Sequence, residues 1–144
     1  MEIDSRKCVN LELLKTIFYR NWSLDTCHPL FCQDWSIHDP AIGQNDVTAL
    51  VIRVIFGGEL LVCHRYSLEY FWNIIPCGQK IDLTNWPRQL RRTQERQSKH
   101  IKICEMLPQG SDDKYSIYSR FLILYLKIFK SLDESPESDR ICIS

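Results

Sequence analysis

Neither sign of charge dominates this chain. Eighteen Lys and Arg stand against eighteen Asp and Glu, so composition gives no general attraction to nucleic acid, anionic membrane or acidic substrate. No apolar run is long: the longest, FLILYL at 121–126, falls far short of the roughly 20 residues a membrane-spanning helix needs. The opening MEIDSRKCVN has no apolar leader core, so a cytoplasmic protein without a membrane span is expected. Seven cysteines are an odd number, and their spacing is not that of a small secreted scaffold. They are expected to be mostly reduced thiols. No internal repeat and no second domain is visible.

What is present suits one domain with a real core: 144 residues, 44% hydrophobic and 25% charged. The pattern is α+β, with helices packed on a short, mostly antiparallel sheet. Leu11, Leu14 and Phe18 share a helical face over 11–20, with Asn10 as a cap. Residues 21–42 have no sustained period and read as a long loop forming one wall of a pocket. Val47, Leu50, Val51, Val54 and Ile55 mark a buried helix over 45–56, ended by Gly57-Gly58. Strands are expected at 59–65, 70–76 and 80–84, with PCGQ at 76–79 as a hairpin turn. The block 118–129 completes the core as helix or strand. Residues 1–130 would form the domain and 131–144 a loosely ordered tail.

The histidines and cysteines offer no recognisable ligand set. Cys27-His28 with Cys32 and His38, and Cys63-His64, follow neither a C-x2-C knuckle nor an H-E-x-x-H helix. No metal and no cofactor is expected. The basic stretch contains Arg88, Arg91, Arg92, Arg96 and Lys99. A helix would align Arg88, Arg92 and Arg96 on one solvated face, which leaves nucleic-acid binding as an alternative rather than the expectation. The first turn of the helix at 45 has the setting of an activated nucleophile, but Asn45 is a neutral amide. Thr48 follows one turn inward with no base marked beside it.

An ordered set of short motifs carries a resemblance. WS at 22–23, WS-x-x-x-P at 35–40, GQNDVTAL at 43–50, FGGELL at 56–61, FWN-x-x-P-x-G at 71–78 and DLT at 82–84 resemble the YunG-like family of small bacterial proteins. That resemblance implies a small papain-like arrangement. It also implies cysteine where this chain has Asn45, histidine where it has Tyr70, and an orienting acid at Asp82. Two readings stand side by side. In one, Asn45 caps a helix, Tyr70 is a strand aromatic with a surface hydroxyl, Trp72 is core and Asp82 caps a turn. In the other, Gln44, Asn45, Tyr70 and Asp82 face a ligand, with Trp35 and Trp72 as apolar walls. The function expected is a noncatalytic scaffold that binds a small molecule, peptide or protein. The alternatives are nucleic-acid binding and a cysteine-type hydrolase or acyl-transfer enzyme with a displaced thiol, such as Cys63 with His38 or His28.

Overall fold

The computed structural model describes residues 6–65, 67–86, 89–107, 116–134 and 141–143. Helix α1 (Leu11–Asn21) begins where the Asn10 side chain accepts the Leu13 N–H at 3.1 Å, which satisfies one orphan donor of its first turn. It buries Leu14 and Phe18 as the spacing predicts, with Ile17 beside them, whereas Leu11 at the first turn is exposed. Two short 3-10 turns, Leu24–Thr26 and Pro29–Phe31, lie within the long loop. Helix α2 (Asn45–Phe56) is buried from Asp46 to Ile52 and again at Phe56 because it lies between the sheet and the last long helix, contacting both; Val54, expected on the buried face, is exposed. Gly57 ends it at φ 78°, its N–H donating to the Arg53 carbonyl. Gly58 follows at φ 82°, where a Cβ would collide with the Ile74 carbonyl oxygen. The helix-to-strand turn therefore runs too close to its neighbour for any side chain.

Four antiparallel strands form the main sheet. We number β1 as Cys8–Val9, β2 as Glu59–Arg65, β3 as Leu68–Ile74, β4 as Lys80–Ile81 and β5 as Lys99–His100, and the sheet order is β4-β3-β2-β5. Arg65 pairs with Leu68, so β3 starts two residues before the expected 70, directly after a tight turn with Ser67 at φ 65°. Strand β4 is shorter than expected and pairs only with Asn73 and Ile74.

The basic segment is not one helix. Helix α3 covers Arg92–Gln97, and Lys99 belongs to β5, which pairs with β2 through Leu61–His100 and Val62–Lys99. The open backbone edge of β2 supplies a better partner for residues 99–100 than another helical turn. Arg92 and Arg96 keep their common helix, Arg91 precedes it, and Arg88 lies outside the described residues. A single turn, α4 (Ile103–Met106), follows.

Helix α5 (Ile117–Glu134) settles the form of the last apolar block and buries Phe121, Leu124, Ile128 and Leu132. It runs into the region expected as a loose tail. Beyond it, Ile141 is fully buried and β6 (Cys142–Ile143) pairs with β1. A disulfide joins Cys8 to Cys77 with a Cα separation of 5.6 Å, tying β1 to the turn before β4. That pair is the exception to the expected reduced thiols; Cys27, Cys32, Cys63, Cys104 and Cys142 are free. Among the described residues no helix is long and apolar enough to cross a membrane.

Candidate functional site

The entry into α2 is braced from beneath. Gly43 takes φ 72°, and a Cβ there would meet the Cys27 sulfur and lie 3.1 Å from the His28 nitrogen. The chain passes this close because the His28 N–H donates to the Gly43 carbonyl at 2.8 Å. Gln44 is fully buried. It accepts the Thr26 hydroxyl at 2.6 Å and donates to the Ser23 carbonyl at 3.0 Å. Both ends of its amide are used by the loop, so Gln44 holds the site in place.

Asn45 occupies the first position of α2, but it does not cap the helix. Its Nδ2 donates to the Phe71 carbonyl at 2.8 Å, and its Oδ1 accepts the Phe71 N–H at 2.7 Å. Since β4 stops at the pairs with Asn73 and Ile74, the Phe71 backbone lies past the end of that ladder. The Asn45 amide serves there as a one-residue strand partner. Next along β3, the Tyr70 side chain is buried, and its hydroxyl donates to Asp82 Oδ1 at 2.6 Å. Thr84 Oγ1 lies 3.3 Å from the Tyr70 hydroxyl and 3.5 Å from Asn45 Nδ2. Asn45, Tyr70 and Asp82 thus converge around Thr84.

Arg65 belongs to the same constellation, although nothing in the motifs marks it. Its guanidinium carbon sits 4.2 Å from the centre of the Tyr70 ring, a cation–π contact. Arg65 is only 4% exposed, and among the described residues Nε and Nη1 have no acceptor. The available signal was its phase: Leu61, Cys63 and Arg65 alternate as the buried face of β2. Asp82 Oδ2 is likewise shielded, with no close hydrogen-bond partner among the described residues, while the backbone of Asn85 and Leu90 acts on the carboxylate. Burial raises the Asp82 pKa, opposed by the Tyr70 hydrogen bond and the Arg65 charge. Burial, with Asp82 adding to it, pushes the Tyr70 hydroxyl well above the usual phenol range.

A cavity of about 260 Å³ opens beside these residues. Asn45, Tyr70 and Arg65 line it together with His28, Phe31, Asp46, Glu69 and Trp86. Phe31 and Trp86 meet edge to face with ring centres 4.7 Å apart. Asp46 is held by a buried two-bond contact with Arg120, at 3.0 and 2.8 Å, across a sequence distance that no local pattern could reveal. Trp72 and Asp82 line a separate cavity, and the Trp72 indole N–H donates to Ser98 at 2.8 Å. The Trp35 indole N–H donates to the Pro40 carbonyl. Neither Trp35 nor Gln44 lines either cavity.

The thiols near the site are poorly suited to attack. Cys27 donates to the Ile42 carbonyl, and burial with the neighbouring Cys32 pushes its pKa up to about 12. Burial also raises Cys63, despite a Ser98 hydrogen bond and the Arg65 charge. Cys27 and Cys32 contact the His28 backbone carbonyl rather than its ring. The ring Nδ1 accepts the Leu30 N–H, and burial lowers the His28 pKa. Arg91, Arg92, Arg96 and Lys99 are exposed. Among the described residues no group of three or more His, Cys, Asp and Glu could hold a metal ion.

Comparison with known proteins agrees with this motif set. No curated protein and no solved structure matches the chain. The family model described as YunG protein matches residues 10–126, well over half of the sequence. The chain therefore belongs to the YunG family.

Proposed function

We propose that this protein is a noncatalytic, papain-like scaffold that binds a small molecule or peptide in the cavity beside Asn45 and Tyr70. The observation that carries the reading is the pair of hydrogen bonds from the Asn45 amide to the Phe71 backbone. The resemblance expects a thiolate at this place and an imidazole at 70. An amide that completes a strand is structural, and a protonated tyrosine hydroxyl donating to Asp82 is too weak a base to activate a nucleophile. The helix-first order, with α2 followed by β2, β3 and β4, supports a papain-like descent whose reactive pair has been replaced.

The displaced-thiol alternative has weaker support, because burial disfavours the thiolate at Cys27 and Cys63. Nucleic-acid binding loses its continuous helical stripe, since α3 and β5 divide the basic residues. A cytoplasmic setting fits the five free cysteines, with Cys8–Cys77 standing against it.

A ligand-observed NMR fragment screen tests the binding reading, using the protein and a Leu68→Trp variant that crowds the cavity wall. Hits lost in the variant are expected. Hits that bind both forms equally, or hydrolysis of ester or amide substrates that iodoacetamide abolishes, would overturn it.

A further inference from the structure

We infer that the cavity holds a carboxylate subsite centred on Arg65, suited to a small monocarboxylate with an aromatic or apolar body. This rests on the cavity being a ligand site, as proposed above. An arginine remains charged at any physiological pH, and a buried guanidinium is costly unless an anion or several acceptors meet it. Among the described residues Arg65 has one long hydrogen bond, 3.4 Å from Nη2 to the Gln89 carbonyl, beside its contact with the Tyr70 ring, while Nε and Nη1 have no acceptor.

No neighbouring acid forms a direct ion pair with Arg65 among the described residues. Asp82 feels the Arg65 charge but directs Oδ1 to Tyr70, and burial favours its protonated form; Asp46 is spanned by both terminal nitrogens of Arg120. Glu69 is exposed at the edge of the cavity.

Two further features favour an anion of single charge. Asn45 and Asp46 stand at the N-terminus of the 12-residue α2, where the helix end is partly positive, although the Val47 N–H is already taken by Asp46 Oδ1. His28 uses Nδ1 as an acceptor for Leu30 N–H, so its neutral ring carries its proton on Nε2, a donor. A carboxylate matches one guanidinium in charge and shape. A phosphate dianion would bring more charge than Arg65 offsets, with Glu69 at the rim opposing it. Phe31 and Trp86 provide the aromatic wall, and about 260 Å³ suits a metabolite rather than a drug-sized ligand.

The test uses the unmodified protein, titrated with phenylacetate, phenylacetamide and phenethylamine while the arginine Nε–H and tryptophan indole NMR signals are followed. Phenylacetate should shift the Arg65 Nε–H and Trp86 indole signals, and the amide should bind about tenfold more weakly. Loss of the acid-over-amide preference in Arg65→Lys, which keeps a cation but not the planar fork, would assign the effect to Arg65. Equal shifts of Trp86 by acid and amide would overturn the carboxylate subsite while leaving a ligand cavity. A preference for phenethylamine would overturn it too, as would no shift from any probe at about 10 mM, above the weak millimolar binding expected of fragments. In that last case only a blank wider screen would also remove the binding reading.

Discussion

The side chain of Asn45 and the backbone of Phe71 form a closed two-bond ring, donor to acceptor in both directions, at 2.8 and 2.7 Å. It fastens the first residue of α2 to a part of β3 that β4 does not reach. The amide thereby acts as a structural joint between helix and sheet.

Asn45→Ala should therefore destabilise the fold. It leaves a backbone N–H and C=O of buried Phe71 without partners, at a cost of about 2–4 kcal/mol for two lost hydrogen bonds. Urea denaturation followed by tryptophan fluorescence would read this as a lower midpoint. A midpoint unchanged from the parent would mean that water replaces the amide without loss.

Arg120 and Asp46, 74 residues apart in sequence, link α5 to the start of α2. Arg120→Met should cost about 3–5 kcal/mol, because it strands a buried carboxylate. Replacing both residues together, Arg120→Met with Asp46→Leu, should recover much of that loss. A double-mutant cycle in urea measures the coupling, and additive effects would argue against a shared buried pair.

Asp82 predicts a pH dependence of a particular sign. Burial raises its folded pKa above the ordinary 3.8, so the folded state favours the protonated acid. Its contribution is fully present below the ordinary value and is lost as pH rises through the raised folded value. Asp82→Asn keeps an acceptor for the Tyr70 hydroxyl but removes this loss. Relative to the parent, the variant should gain stability as pH rises over that interval. Parallel stability profiles for the two proteins would contradict the shift.

Thiol labelling should divide the cysteines by environment. Cys104 is exposed, whereas Cys27 and Cys63 are buried with raised pKa values. Iodoacetamide near neutral pH should modify Cys104 first and spare Cys27 and Cys63 until the protein unfolds. Mass spectrometry without reductant should leave Cys8 and Cys77 unlabelled even in denaturant. Fast, stoichiometric labelling of Cys63 would revive a thiol-based activity.

Local chemistry made much of this protein readable before its structure. Periodic apolar residues located α1 and α2, and Gly57-Gly58 located the end of α2, because hydrophobic spacing and positive-φ demands act within a few residues. The motif order identified the family and drew Asn45, Tyr70 and Asp82 together. The sequence could not say that Asn45 pairs with a strand backbone, that Gln44 faces the loop, or that Trp35 stands apart from the cavity. Those outcomes depend on where β4 stops and which backbone groups it leaves unpaired. Nor could it reveal the Asp46–Arg120 contact, the Cys8–Cys77 bridge or the β1–β6 pairing, whose partners are far apart along the chain. Arg65 lies between these cases. Its inward phase on β2 was legible, but its stacking on Tyr70 and its shielded N–H groups exist only once the sheet has formed and brought Tyr70 and Gln89 beside it.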